Sequence, residues 1–145
     1  MYHLIYISHA VHPFTQVELE QLLTSARRNN KRLGITGMLL YLNEKFIQVL
    51  EGERQAIEKV MAIIELDPRH KKLSVLLEGE SSERIFKTWT MGFKRLGNHE
   101  FKSMSGYENM DQFFDRVKVT DDSSPLLIFL RLFYQKNLND LPELV

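Results

Sequence analysis

The order in which strand-like and helix-like segments follow one another constrains the fold of this chain more than any other feature. Its 145 residues suit a single domain. The segment Tyr2–Ser8 is rich in β-branched and aromatic residues, which is typical of a strand. Thr15 and Glu18 have the spacing of a capping box, and the leucines after them recur at helical spacing. We therefore predict a strand followed by a helix that ends near Asn30.

The next segments predict a hairpin. Ile35–Leu42 and Phe46–Leu50 are apolar runs joined by a short turn, which indicates two antiparallel strands. A second amphipathic helix follows from Ile57 to Ile64, and it should end before Pro68 because proline disfavours helix in the residue that precedes it. Two further strand candidates complete this part of the chain, Leu73–Leu77 and Lys87–Phe93.

Taken together, these segments predict an α+β fold with a ferredoxin-like βαββαββ sheet. Both helices should pack on one face of the sheet, which would leave its opposite face bare. We assign this fold to residues 1–97.

Residues 98–145 are predicted to form a C-terminal helical extension of the same structural unit. Leu126–Tyr134 is apolar on nearly all sides, so a helix there must be buried on more than one side. A shorter helical stripe is predicted at Met110–Val117. We expect the extension to cover the bare face of the sheet and its outer face to contact a second subunit or a partner. The alternative is that both helices only complete the core of the monomer.

Composition excludes several classes of function. Nineteen Lys and Arg balance nineteen Asp and Glu, which argues against a protein dedicated to nucleic-acid binding. The absence of cysteine excludes disulfides and thiolate chemistry. No apolar run approaches the roughly 20 residues that span a bilayer, and Met1–His9 lacks the features of a signal peptide, so we expect a cytoplasmic protein without a membrane partner. The sequence contains no P-loop, GxGxxG or GxSxG motif and no zinc spacing of histidines. These absences favour a ligand pocket over a catalytic site.

Three polar residues occupy positions where the pattern expects apolar ones. Asn30 continues the buried stripe of the first helix, Gln48 shares a strand face with Leu50, and Tyr6 shares one with Leu4. A buried amide without a hydrogen bond costs on the order of 1–3 kcal/mol. Ordinary alternatives are a helix end for Asn30, an outward position for Gln48 and a core tyrosine for Tyr6.

Two further pairs have ordinary explanations. Trp89 and Met91 would point to the same face of a strand, as a core pair does. Asp67 and Arg69 flank Pro68 and could form an exposed ion pair that contributes little stability.

Several short segments, taken in order, resemble the BLUF domains, which are blue-light sensors that use flavin. The matching segments are Tyr6-Ile7-Ser8, Arg28-Asn29-Asn30, Leu33–Gly37, Phe46–Gly52, Asp67–His70 and Trp89-Thr90-Met91. The resemblance covers about residues 1–95. The remaining chain carries no recognisable output domain and in this respect is similar to short, stand-alone members of the family. The resemblance therefore implies a homo-oligomer that signals to a separate partner protein.

The resemblance also implies an oxidised flavin between the two helices, with FAD expected and FMN or riboflavin as alternatives. Asn30 would bond the pyrimidine edge of the ring, and Gln48 would bridge Tyr6 and the flavin. Four other residues would lie near the ring or the ribityl and phosphate tail, namely Arg28, Asn29, Asp67 and Arg69.

In such a domain, light would transfer an electron and a proton from Tyr6 and leave the Gln48 amide rotated or tautomerised. The absorption would shift to the red, and Trp89 and Met91 would relay the change through the last strand. No net reaction results, so the implied function is that of a photoreceptor and not of an enzyme. The competing hypotheses are a small flavin-dependent oxidoreductase on the same fold and an oligomerisation module without a chromophore.

Overall fold

The computed structural model describes residues 1–42, 44–80, 82–87 and 91–95, together with positions 128, 129, 131 and 132. Its elements in chain order are strand β1 Tyr2–Ala10, helix α1 Gln16–Leu33, strand β2 Thr36–Leu42, strand β3 Lys45–Gly52, helix α2 Arg54–Glu65, strand β4 His70–Glu80 and strand β5 Gly92–Arg95. The strands lie in the order β4-β1-β3-β2-β5. Neighbouring strands are antiparallel except β2 and β5, which are parallel. The predicted ferredoxin-like α+β arrangement is confirmed.

Helix α1 begins where the sequence predicts and ends beyond the predicted position. The Glu18 backbone N–H donates to Thr15 Oγ1 at 3.2 Å, and the Thr15 N–H donates to the Glu18 carboxylate at 3.1 Å, which completes the capping box. The helix continues to Leu33, and Gly34 follows it in the left-handed conformation with a φ of 70°. Gly34 therefore caps the helix, and Asn30 lies inside the last turn.

Both helices pack on the same face of the sheet, as predicted. One buried apolar cluster joins the sheet to the helices; among its members are Leu4, Tyr6 and Leu50 of the strands, Leu19 and Leu23 of α1, and Ile57 and Val60 of α2. Since side chains alternate along a strand, this cluster fixes which residues of β1 and β3 face the helices.

The other face of the sheet is also buried. Ile5, Ile47 and Val49 point away from the helices, and no more than 2% of each is exposed. The four described positions between 128 and 132 are helical, in agreement with the helix predicted at Leu126–Tyr134. The predicted stripe at Met110–Val117, the boundary at residue 97 and the packing of the extension fall outside the described residues, so they stay predictions. Within the part of the chain that is described, no helix has the length and apolar character needed to cross a membrane.

The strand predicted at Lys87–Phe93 is confirmed at Gly92 and Phe93 and is wrong at Lys87 and Met91, while 88–90 lie outside the described residues. Strand β5 begins only at Gly92, while Lys87 lies in a turn and Met91 in a bend. The strand predicted at Leu73–Leu77 exists but is longer, because it extends over all of β4.

A buried carboxylate holds the backbone of the segment that leads up to Lys87. Glu51, which is 1% exposed, accepts the backbone N–H groups of Ile85 at 2.9 Å and of Phe86 at 2.6 Å. The Thr36 hydroxyl donates to the same carboxylate at 2.9 Å, and Arg84 donates to Thr36 Oγ1 at 2.9 Å. These backbone donors are therefore bound by a side chain and not by a neighbouring strand.

Candidate functional site

A cleft lies between the two helices and the sheet, and it contains about 710 Å³ of empty space when the open solvent at its mouth is included. Its walls are apolar side chains of both helices, such as Leu22 of α1 and Ile64 of α2. Its polar lining consists of Tyr6, Ser8, Ser25, Asn29, Asn30, Gln48, Asp67, Arg69 and His70. Ligand sites are typically clefts in which a few polar groups converge on an apolar pocket.

Tyr6 and Gln48 meet at the floor of the cleft. They are directly opposite each other in the pairing of β1 with β3, and the Tyr6 hydroxyl donates a hydrogen bond to Gln48 Oε1. Only 4% of Tyr6 and 5% of Gln48 are exposed, so the outward position considered for Gln48 is wrong. Burial, with a smaller effect of the nearby Asp67 charge, raises the pKa of Tyr6 and keeps its phenol protonated.

Met91 continues this hydrogen-bonded chain. The Gln48 amide donates through Nε2 to Met91 Sδ at 3.4 Å, and the Met91 side chain is fully buried. Gly37 makes room for this contact, because a Cβ at that position would lie 1.9 Å from the Val49 carbonyl oxygen and 3.3 Å from Met91 Cε. Trp89, the other residue expected to relay the change, lies outside the described residues.

The helix α1 brings two of its three predicted site residues to the cleft. Asn30 is 1% exposed, and Asn29 is half-buried; both line the cleft. Arg28 is exposed and does not line it. The reason is helical geometry, since residues two positions apart on a helix point to nearly opposite sides.

Asp67 and Arg69 form a partly buried pair at the rim of the cleft. Arg69 Nε donates to the two Asp67 carboxylate oxygens at 2.9 and 3.0 Å, and Arg69 Nη2 donates to Oδ2 at 2.6 Å. Their side chains are 21% and 39% exposed respectively, so the pair is more buried than the exposed turn considered from the sequence. The hydrogen bonds that the Asp67 carboxylate accepts from Arg69 hold the pKa of this carboxyl below its usual range.

Two residues near the site were missed by the sequence-based assignment. Ser8 lines the cleft and is fully buried, and its hydroxyl has no hydrogen-bond partner among the described residues. The alternation that assigned Tyr6 to this face also assigns Ser8 to it. Arg27 donates through Nε to the Met91 carbonyl at 2.9 Å, and no local pattern indicates a contact across 64 residues.

These features fit a flavin. Two helices supply apolar walls for a flat ring system, and the buried amides of Asn30 and Gln48 offer both donors and acceptors to its polar edge. The fully buried Ser8 hydroxyl has an unused hydrogen-bonding capacity toward the same cleft.

Comparison with known proteins agrees with this fit. The family model for BLUF, described as sensors of blue-light using FAD, matches residues 1–92. The chain is 37% identical over 89 residues to the photoactivated adenylate cyclase subunit beta of Euglena longa, and 35% identical over 89 residues to that of Euglena gracilis. Each match covers 61% of this chain and 10% of the relative, so the chain spans about a tenth of their length.

Solved structures are similar to a larger part of the chain. The BLUF protein BlrB in its dark state matches with a TM-score of 0.62 and 32% identity, over 65% of this chain and 71% of BlrB. A BlrP1 structure from Klebsiella pneumoniae matches with a TM-score of 0.72 and 29% identity, over 96% of this chain and 33% of BlrP1. BlsA in its ground state matches with a TM-score of 0.65 and 26% identity, over 94% of this chain and 87% of BlsA. With the family model matching more than half of its length, the chain belongs to the BLUF family of flavin-using blue-light sensors.

Proposed function

We propose that this chain is a blue-light photoreceptor whose switch consists of Tyr6 and Gln48 at the flavin and whose first output contact is Met91. The observation that carries the proposal is the buried hydrogen-bonded chain from the Tyr6 hydroxyl through the Gln48 amide to Met91 Sδ. It connects the floor of the cleft to the residue immediately before β5.

A bound flavin would absorb the blue light and, once excited, would accept an electron and a proton. Tyr6 is suited to be their source because its phenol is neutral, buried and hydrogen-bonded to Gln48 Oε1. Gln48 carries one acceptor and one donating group, so a half-turn of its amide exchanges their positions. Met91 Sδ, a weak acceptor, then loses the N–H that it accepts in the dark arrangement.

The remaining site residues bind and orient the flavin in this proposal. Asn30 bonds the pyrimidine edge of the ring, supported by its burial in the wall of the cleft. Asn29, Asp67 and Arg69 bind the ring or the ribityl and phosphate tail, supported by their positions along the lining. A role for Arg28 is restricted to a part of the flavin tail that reaches solvent, since this side chain is exposed.

FAD is the flavin that the family description names, and we propose it for this chain. FMN and riboflavin are the alternatives, and one Klebsiella pneumoniae BlrP1 structure is described with FMN.

The proposed function also includes the transmission of the light signal to another protein. We infer that this chain signals as a homo-oligomer to a separate cytoplasmic protein and catalyses no reaction of its own. Support comes from the sequence, in which the residues after the matched segment contain none of the nucleotide-binding or nucleophile motifs searched for. The curated relatives, in contrast, are named as subunits of adenylate cyclases and match over only about a tenth of their length.

Substitution of Tyr6 by phenylalanine tests the switch. Tyr6→Phe removes one hydroxyl and little packing, so the fold and flavin binding should survive while the light-induced red shift disappears. Phenylalanine is a far poorer electron donor and has no phenolic proton. The measurement is the absorption spectrum of the bound flavin before and after blue light.

Tyr41→Phe is the matched control, because Tyr41 is also a buried tyrosine of the sheet but does not line the cleft. This control should keep the red shift. Retained switching in Tyr6→Phe would contradict the proposal and would point to Trp89, the single tryptophan, as the donor.

A further inference from the structure

The Arg27 side chain connects helix α1 to Met91, the residue that accepts a hydrogen bond from the Gln48 amide. Its Nε–H donates to the backbone carbonyl of Met91 at 2.9 Å in a partly buried environment. The carbonyl belongs to the peptide that leads into β5, whose first residue, Gly92, pairs with Met38 of β2. Arg27 therefore contacts the chain at the entrance to the last strand.

Met91 is thus held at two points that differ in strength. Its backbone carbonyl accepts from a charged guanidinium, and its Sδ accepts from a neutral amide at 3.4 Å. Hydrogen bonds with a charged donor are roughly twice as strong as neutral ones, and a thioether sulfur is a weak acceptor. The position of Met91 consequently depends more on Arg27 than on Gln48.

Helix α1 also supplies the wall of the cleft. Asn30 lies one turn after Arg27 and lines the cleft, while Arg27 reaches Met91. One helix therefore contacts both the cleft, through Asn30, and Met91, through Arg27, and it fixes their positions relative to each other.

We propose that Arg27 is a positioning residue for the light response: by holding the Met91 carbonyl it keeps Met91 Sδ within reach of Gln48 Nε2, and so it stabilises the dark arrangement of the switch. This inference rests on the function proposed above. Without Arg27, the dark arrangement loses an acceptor for the Gln48 amide, and the return to it becomes slower.

The first experiment measures the lifetime of the lit state in Arg27→Met, which keeps the length of the side chain and removes the charged donor. We expect a lifetime at least threefold longer than in the natural protein, with the size of the red shift unchanged. Arg27→Lys, which retains a charged donor, should restore part of the natural lifetime. Arg32→Met is the matched control, because Arg32 is an exposed cation of the same helix, and its lifetime should be unchanged.

The same substitution made in a Met91→Leu protein separates a positioning role of Arg27 from a general loss of stability. Met91→Leu keeps the apolar volume and removes the sulfur acceptor, so adding Arg27→Met to it should not lengthen the lifetime further. A lifetime in Arg27→Met that is unchanged or shorter, or an equal lengthening in both backgrounds, would overturn the proposal.

The contact itself can be measured without light. Amide hydrogen exchange of residues 91–95 in dark protein should become faster in Arg27→Met and remain unchanged in Arg32→Met. If the natural protein shows no reversible red shift, the proposed function fails, whereas unchanged exchange in Arg27→Met contradicts the role of Arg27 alone.

Discussion

At the scale of single residues, the site depends on buried polar groups that form hydrogen bonds with one another. A buried hydroxyl or amide that loses its partner costs on the order of 1–3 kcal/mol. The Tyr6 hydroxyl and the Gln48 amide avoid this cost by bonding to each other across β1 and β3. Because burial raises the pKa of Tyr6 above the ordinary phenol value of 10.0, the proton of this hydrogen bond should stay in place throughout the physiological pH range.

The Asn30 amide provides a prediction about binding. Asn30→Ala removes a hydrogen bond to a neutral group, which contributes on the order of 1 kcal/mol and corresponds to a roughly fivefold weaker flavin affinity. The affinity should be measured by titrating the apoprotein with flavin, and the free energy of unfolding of the apoprotein should be measured in parallel. Flavin binding should weaken more than the apoprotein is destabilised. Equal flavin affinity in both proteins would limit Asn30 to a structural role in α1.

At the scale of elements, the turn between α2 and β4 forms part of the rim of the cleft. The Arg69 backbone N–H donates to Asp67 Oδ1 at 3.0 Å, and its guanidinium binds the same carboxylate with two nitrogens. This local pairing fixes the turn that ends α2 at Glu65 and starts β4 at His70. This ion pair therefore contributes to the order of the rim, together with backbone hydrogen bonds such as that from the Asp67 N–H to the Ile64 carbonyl.

This ion pair predicts a dependence of stability on pH. Arg69 lowers the folded-state pKa of Asp67 below the value of 3.8, so its contribution is present above pH 3.8 and is lost as the pH falls through the lowered pKa. Asp67→Asn should reduce the free energy of unfolding by about 0.5–1 kcal/mol at pH 7, a modest effect since the pair is partly solvated. Urea unfolding of both proteins at several pH values is the measurement.

The difference between the two proteins should shrink toward zero as the solution becomes more acidic than pH 3.8. Glu65→Gln, a change at an exposed carboxylate two residues earlier, is the control. A difference that stays constant down to pH 2 would show that Asp67 acts through something other than its charge.

Elements with strong local patterns could be predicted from the sequence. The capping box of Thr15 and Glu18 gave the start of α1. The alternation in β1 and β3 grouped Tyr6 with Leu4 and Gln48 with Leu50, and the buried cluster shows that this face is the one covered by the helices. Strand β4 was underestimated because it lies at the edge of the sheet, where Val75 is 42% exposed and alternation is weak.

Contacts between distant residues could not be predicted in this way. The Ile85 N–H binds the carboxylate of Glu51, which is 34 residues away, and no local pattern indicates this contact. The contact between Arg27 and Met91 likewise joins residues 64 positions apart. The resemblance to BLUF domains suggested Arg28 as a site residue, whereas the neighbouring Arg27 is the one that contacts Met91.

At the scale of the whole molecule, the sheet separates the flavin side from the proposed output side. The cleft occupies the face covered by the helices, while Ile5, Ile47 and Val49 lie buried on the opposite face. Strand β5 follows Met91 and pairs with β2, so a movement of Met91 would reach the edge of the sheet directly. We expect the C-terminal extension to receive the change there.

The extension provides a prediction about assembly. Full-length protein should have a mass larger than that of a monomer by light scattering, and this mass should change between dark and lit samples. A chain truncated after Asn98 should lose this behaviour and keep the red shift, because the residues of the switch precede the truncation. A full-length monomer in both states, together with unfolding on truncation, would assign the extension to the core of the monomer.

The absorption spectrum of the purified protein before and after blue light tests the central claim most directly. The natural protein should carry oxidised flavin whose spectrum shifts slightly to the red on illumination and returns in the dark. Gln48→Leu should bind flavin without this shift, because it removes the amide and keeps the apolar volume. Bleaching that requires a reductant would indicate an oxidoreductase, and a lack of bound flavin would indicate an oligomerisation module. A normal lit-state spectrum in Gln48→Leu would contradict the proposed switch.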